Sequence, residues 1–154
     1  MLSKPISMKP SCFVFDLDGT LCNVFHRIKW VASYPKNWEA FNAGIALDTL
    51  NEPVFNTLVA LANSHPIVLL SGRGEEHRGV TEEWLRRNQV PYSHLLMRPL
   101  DDFRSDDIVK SELADIVEQS YSIQGVFDDR SQVVKMWQSR GIFVFDVAQG
   151  RGDF

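Results

Sequence analysis

The sequence predicts an α/β fold built on a doubly wound, mainly parallel sheet, and three observations predict it. First, short apolar runs at Phe13–Phe15, Ile67–Leu70, His94–Met97, Ser122–Phe127 and Ile142–Phe145 alternate with stretches of helical period. Strands joined through helices run parallel with right-handed crossovers, which covers both faces of the sheet. Second, several of these runs stop abruptly at polar groups, which are Asp16 and Asp18 after the first, Ser71 after the second and Asp128-Asp129 after the fourth. Open α/β sheets place their ligand sites at such strand ends. Third, 154 residues suit one domain, long enough to bury roughly two-thirds of the unfolded surface and too short for a second catalytic domain.

Taken in order, residues 1–11 carry lysines and prolines without an apolar core and read as a flexible start, leaving 12–154 as a single domain. Phe13, Val14 and Phe15 form a strand buried on both faces, and Gly19 marks a sharp turn after the two acids. Residues 22–46 are rich in aromatics and poor in periodicity, and read as a short flap beside the strand ends. Asn51 caps a helix with Pro53 in its first turn and Val54, Leu58 and Leu61 on its inner face, which Asn63 to Pro66 stop. After the second strand, Ser71-Gly72-Arg73-Gly74 reads as a polar turn, then a helix from Glu75 to Asn88 buries Val80 and Trp84. Arg98-Pro99 closes the third strand. The next helix starts near Asp106, with Val109, Leu113, Ile116 and Val117 on one stripe and Lys110 off it. A last helix carries Val133, Val134 and Trp137.

The balance of charge excludes some classes of function. A net charge of −4 gives no global attraction to nucleic acid or to anionic membrane, so any polyanion must be gripped locally. Cys12 and Cys22 show no metal-ligand spacing and read as reduced, small apolar fillers. No apolar run reaches 18 residues and no signal peptide is evident, which points to a cytoplasmic chain without a membrane role.

The chemistry gathers at the strand ends. Two carboxylates two residues apart repel one another unless a cation or a shared proton relieves them, and a divalent metal is the natural relief. The sheet topology brings Asp16, Asp18, Ser71, Asp128 and Asp129 into one cleft, although more than a hundred residues separate them in sequence.

Asp16-Leu17-Asp18-Gly19-Thr20, Ser71, Lys110 and Asp128-Asp129 resemble, in order and spacing, the four motifs of the haloacid dehalogenase superfamily of phosphatases. The resemblance implies a Rossmann-like fold of that superfamily without a large cap domain, and an aspartyl-phosphate mechanism. In it Asp16 attacks phosphorus, Asp18 acts as acid and then base, Ser71 bonds the phosphoryl group and Lys110 neutralises charge. It further implies Mg²⁺ held by the carboxylates of Asp16 and Asp128 and the main-chain carbonyl of Asp18, with Asp129 supporting from behind or through a water.

Within the superfamily the chain is most similar to the 3′-phosphatase domain of bacteriophage-type polynucleotide kinase, from about Phe13 to the end. That similarity is carried by Ser71-Gly72-Arg73, Leu96-Met97-Arg98-Pro99, Asp106 four residues before Lys110, Val126 to Arg130, Val133 to Trp137 and Gly152-Asp153-Phe154. It implies a phosphorylated nucleotide or nucleic-acid 3′ end as substrate. It adds Arg27, Gly72 and Arg73 as phosphate-binding residues and Asp106 as the partner that orients Lys110. No stretch matches the kinase P-loop G-x-x-x-x-G-K-[ST], so kinase activity is not expected, and no protein partner is indicated.

Two rival functions fit parts of the sequence. A phosphatase of nucleoside monophosphates or other small esters suits the acidic charge and the lack of a lysine-rich stripe. A non-catalytic phosphate-binding module has no use for Asp18. The flap aromatics Trp30, Tyr34, Trp38 and Phe41 are expected to pack on the domain, the sharper alternative being that one stacks on a nucleobase.

Overall fold

The computed structural model describes residues 9–151 and Asp153. Residues 1–8, most of the start read as flexible, and Gly152 and Phe154 of the closing motif lie outside the described residues. The chain is already held before Phe13. Strand β1 runs Ser11–Phe15, and the carbonyl of Pro10 accepts a bond from the Ser122 amide.

After β1 the chain makes strand β2 (Cys22–Asn23), a 3₁₀ stretch (Phe25–Trp30), helix α1 (Trp38–Ala43), a second 3₁₀ stretch (Ile45–Leu47) and strand β3 (Thr49–Leu50). The flap is thus a structured excursion, closed at its base by the antiparallel pair β2–β3, and it ends at residue 50 rather than 46. Its helices are too short to show a period, which is why the sequence reads there as irregular. Helix α2 (Glu52–Ala62), strand β4 (Ile67–Gly74), helix α3 (Arg78–Arg87), strand β5 (His94–Arg98), helix α4 (Asp106–Glu118), strand β6 (Ser122–Asp128), helix α5 (Ser131–Ser139) and strand β7 (Val144–Asp146) complete the chain.

The five main strands form one parallel sheet in the order β5-β4-β1-β6-β7. The chain builds outward from β1 through β4 to β5, then returns to the other side of β1 for β6 and β7. The reversal puts the crevice between β1 and β6, where an open α/β sheet binds its ligand.

Alternate residues of the central strands feed two cores. Phe13, Phe15, Ile67, Leu69 and Phe127 pack with Leu58 of α2 and with Trp84 and Leu85 of α3. Cys12, Val14, Val68, Leu70 and Val126 pack with Val109, Leu113 and Val117 of α4 and with Val133 and Trp137 of α5. Across the first face Phe15, Phe127 and Phe145, which are register partners on β1, β6 and β7, stack at 4.3 and 4.4 Å between ring centroids. Both cysteines are free and buried, and desolvation pushes both thiols up, Cys12 to about 11. Among the described residues no helix is long and apolar enough to cross a membrane.

Three local expectations are corrected. The segment Ser71 to Gly74 is a continuation of β4, with Ser71 paired to Met97, Gly74 paired to Arg98 and an irregularity between them. The backbone therefore carries polar side chains into the site on a strand instead of on a loose turn. Asn51 stands at the N-cap of α2, yet its side chain donates to the Thr20 carbonyl at 2.9 Å. In α3 (Arg78–Arg87), which a 3₁₀ stretch (Glu75–His77) precedes, the inner face is centred on Thr81, Trp84 and Leu85, and Val80, in the first turn to one side of that face, is 36% exposed.

The burial pattern of α3 predicts a sharp contrast. Leu85→Ala opens a cavity in the core and is expected to cost about 2–5 kcal/mol in urea denaturation. Val80→Ala is expected to change stability by no more than about 0.5 kcal/mol.

Candidate active site

Each strand on the reversal side contributes one piece of the site. β1 ends at Asp16, and the chain then turns through Leu17 to Cys22 with three backbone bonds: Thr20 amide to Leu17 carbonyl, Gly19 amide to Cys22 carbonyl and Cys22 amide to Leu17 carbonyl. Gly19 takes φ +83°, and a Cβ there would run into the Asp129 carboxylate, so only glycine fits. The turn sends two neighbouring acids in different directions.

Asp16 faces the β6 end. Lys110, on α4 and 1% exposed, donates from Nζ to Asp16 Oδ1 at 2.8 Å and to Asp128 Oδ2 at 3.0 Å. Thr20 donates from its hydroxyl to Asp16 Oδ2 at 3.0 Å. Oxygens of Asp16, Asp128 and Asp129 lie within 4.8 Å of one another. Three carboxylates against one ammonium leave two negative charges uncompensated, the charge of one divalent cation. Burial, then Asp128 and Asp129, push Asp16 well above the usual carboxylate range in spite of Lys110. Burial, then Asp128, lifts Asp129 to about 6. A hard all-oxygen donor set under mutual repulsion suits Mg²⁺. Asp129 stands beside Asp16 and Asp128 with an oxygen close enough to share an ion with theirs.

Asp18 faces the flap. Its Oδ1 accepts from Arg27 Nη2 at 2.6 Å and from Arg73 Nε and Nη2, at 3.1 and 2.5 Å. Both guanidinium groups continue to Asp48, Arg27 through Nε at 2.7 Å and Nη2 at 2.6 Å and Arg73 through Nη2 at 3.3 Å. Arg73 also bonds the Thr81 hydroxyl, and Arg27 bonds the Phe41 carbonyl and lies 4.2 Å over the Phe41 ring. Trp84 of α3 donates to the Asp48 carbonyl at 2.8 Å, which fixes the hub to the core. Two acids and two cations balance here. Burial alone would raise Asp18, but Arg73 and then Arg27 bring it down to about 2. Asp18, Cys22 and Asp48 also lie close enough to share an ion, yet the two guanidinium groups already fill that space.

Asp16, Asp18, Ser71, Gly72, Arg73, Asp106, Lys110, Asp128 and Asp129 line one open cleft of about 550 Å³, as the sheet topology led one to expect. Two sequence expectations need correction. Arg27 is buried behind Asp18, outside that lining, and spends its donors on Asp18, Asp48 and the Phe41 carbonyl, whereas Arg73 lines the cleft with its donors held by Asp18, Asp48 and Thr81. Asp106 does not bond Lys110. Its oxygens take Arg98 Nη2 at 2.7 Å and Arg130 Nη1 at 3.4 Å, and a Cβ at Gly72 would strike it. Ser71 accepts from the Arg73 amide at 3.1 Å and keeps its hydroxyl proton for a ligand.

The sequence reading missed four residues. Thr20 stands in the quoted motif and was legible there. Arg98, whose donors hold the carbonyls of Gly72, Asp102 and Arg104 and so shape the cleft rim, was quoted without a role. Asp48 and the 90% exposed Phe103 on the rim carry no local signal, because both belong to aperiodic segments.

The comparisons fit this geometry. The family model described as the Polynucleotide kinase PNKP phosphatase domain matches residues 10–154. A protein of Autographa californica nuclear polyhedrosis virus, named "Putative bifunctional polynucleotide kinase/RNA ligase", is 31% identical over 150 residues, covering 94% of this chain and 20% of its own length. Chains in two structures of a Pnkp1/Rnl/Hen1 complex, one named an RNA repair complex, are 32% and 34% identical with TM-scores of 0.81 and 0.80. They cover 100% and 99% of this chain, which spans 47% and 50% of theirs. The class C acid phosphatase of Bacillus anthracis, 17% identical with a TM-score of 0.66, shares the fold over 92% of this chain and 68% of its own.

Two measurements test the two halves of the site. Because its ligands must lose their protons, Mg²⁺ binding by calorimetry is expected to be tight at pH 7.5 and to weaken steadily as pH falls through about 6, with proton uptake by Asp129 and Asp16. Trp84→Phe, which leaves the buried Asp48 carbonyl without its donor, is expected to cost about 1–3 kcal/mol of stability.

Proposed function

The chain belongs to the polynucleotide kinase phosphatase-domain family of haloacid dehalogenase-like phosphatases, and from that premise we propose that it is a Mg²⁺-dependent phosphomonoesterase acting through an aspartyl-phosphate on Asp16, with the 3′-phosphate of a polynucleotide as substrate. The observation that carries the reading is the pair of half-sites on one turn, Asp16 bound to Lys110 and Asp18 bound to two arginines, at the floor of a single cleft.

In the first step an Asp16 oxygen attacks phosphorus while the ester P–O bond breaks, and Asp18 delivers its proton to the leaving ester oxygen, which departs as a hydroxyl. In the second step Asp18 takes a proton from water, the water oxygen attacks phosphorus, and the bond to Asp16 breaks to free inorganic phosphate. Lys110 aims Asp16 and favours its ionised form against burial and the neighbouring acids, and the Ser71 hydroxyl donates to a phosphoryl oxygen. Mg²⁺ held by Asp16, Asp128 and Asp129, with the carbonyl of Asp18, would neutralise charge on the phosphoryl oxygens.

Asp18 is ionised when it faces only arginines, so its acid role needs a second influence. An incoming phosphate dianion supplies it by adding negative charge beside Asp18 and raising its pKa. Arg27 and Arg73 act in this scheme as a clamp that keeps Asp18 in reach of the leaving oxygen. Arg130, on the cleft wall and held loosely at 3.4 Å from Asp106, is the cation better placed to meet phosphate.

The relatives' names, a polynucleotide kinase/RNA ligase and an RNA repair complex, support a nucleic-acid end as substrate. The second reading, small phosphate esters, is favoured by the net charge of −4. Phosphate release from 3′- and 5′-phosphorylated oligonucleotides, nucleoside monophosphates and an aryl phosphate decides between them. Preference for the 3′-phosphorylated oligonucleotide is expected, and equal cleavage of all esters would overturn it.

Asp16→Asn is expected to lower turnover by at least about 10³-fold. Because it removes one of three mutually repelling carboxylates, it is also expected to leave the melting temperature unchanged or higher without added metal.

A further inference from the structure

We infer that the flap is a platform for single-stranded nucleic acid, on which the nucleotides next to the terminal phosphate lie; this deepens the polynucleotide reading above and rests on it. The sequence from Gly19 to Trp38 contains no aspartate or glutamate, in a chain of net charge −4. It does contain Lys29, Lys36 and four aromatic residues. A local basic and aromatic surface is what an acidic protein needs to hold a polyanion with stackable bases.

The expected packing of the flap aromatics holds for Phe41 alone, which is buried. Trp30 is 42% exposed, Trp38 is 43% exposed and Tyr34 is 89% exposed. Several exposed aromatic rings grouped on one short segment are the kind of patch that marks an interaction surface. Lys29 Nζ lies 5.2 Å from the Trp30 ring and Lys36 Nζ lies 5.5 Å from the Trp38 ring, so each indole carries a cation beside its face. A lysine over an exposed ring is held more weakly than a stacked base, and on a flexible stem it can move to the adjoining phosphate.

The surface is rigid and it leads to the reaction centre. The Asn37 amide donates to the Trp30 carbonyl at 2.7 Å and the Asn37 side chain caps the Ala40 amide at 3.0 Å, which fixes the two indoles on one short framework. Trp38 meets Phe41 edge to face at 5.6 Å, Arg27 lies on Phe41, and Arg27 bonds Asp18. Trp38 also lines the cleft. A contact path thus runs from the proposed acid to an exposed ring. A base stacked on Trp38 would place the next nucleotides over Tyr34, Trp30 and the two lysines. Rings already ordered lose little freedom on binding.

The test is anisotropy of a fluorescein-labelled, single-stranded, 3′-phosphorylated octanucleotide, as RNA and as DNA, with chelator present so that no turnover occurs. Trp38→Ala is expected to weaken binding on the order of ten-fold, and Trp38→Phe to restore most of it. Replacing Lys29 and Lys36 with alanine is expected to reduce the salt slope by roughly 0.7 per lysine. In phosphate release, Trp38→Ala should lower kcat/KM for the octanucleotide on the order of ten-fold more than for an aryl phosphate.

A wild type that hydrolyses the aryl phosphate yet binds the octanucleotide no better than Trp38→Ala does would overturn the platform and leave the phosphatase reading intact. Binding that follows the Trp38 and lysine pattern without phosphate release from any ester would do the reverse. If Trp38→Phe fails as badly as alanine while both lose aryl phosphatase activity in proportion, the ring is structural, the platform falls, and a protein-facing role for the flap takes its place.

Discussion

Charge balance around one buried lysine governs this site. Lys110 comes from a helix ninety-four residues after Asp16 and reaches the floor of the cleft to bond two acids from two strands. A lone ammonium in that position would cost several kcal/mol in desolvation, and three bare carboxylates would not stay ionised. Together they tolerate burial only in part, which leaves the cluster short of positive charge. The shortfall is what makes the place attractive to a divalent cation and repellent to an anion until that charge is met.

The neighbouring half-site obeys the opposite rule. Asp18 and Asp48 are matched by Arg27 and Arg73, so that cluster is neutral, rigid and anchored to the core through Trp84. Two acids separated by a single leucine therefore live under different electrostatics. One sits in an acid-rich cluster beside a lysine, as the proposed nucleophile, and the other is locked between two guanidinium groups, as the proposed acid. The turn at Gly19 and the buried Leu17 make the division possible by pointing the two side chains apart.

Much of this was legible in the sequence because it is periodic or punctuated. Strands such as Phe13–Phe15 and Ile67–Leu70 announce themselves by runs of apolar residues, and the acids that end them mark the site. Lys110 was found by motif spacing, although its burial was not foreseen. What stayed hidden depends on tertiary approach. Asp48 sits in an aperiodic stretch and gains its role only when Arg27 and Arg73 converge on it from different elements. Arg27 and Arg73 themselves were found, but a charged residue near a phosphate motif looks alike in sequence whether it grips a ligand or a neighbouring acid. Asp106 lies in the cleft wall as expected and acts on Lys110 through its charge, while its oxygens bond Arg98 and Arg130, partners that i, i+4 spacing alone does not reveal.

The central place of β1 has a consequence for how the molecule comes into being. The first strand made must wait for partners that follow more than fifty residues later on one side and more than a hundred on the other. Contacts so distant in sequence close late, because loop entropy opposes them until the intervening helices have formed. A growing chain therefore holds its first strand with one edge unpaired until β6 is synthesised. That same late pairing brings Asp128 and Asp129 beside Asp16, so the acidic cluster of the candidate site takes shape only when the sheet closes on its second side.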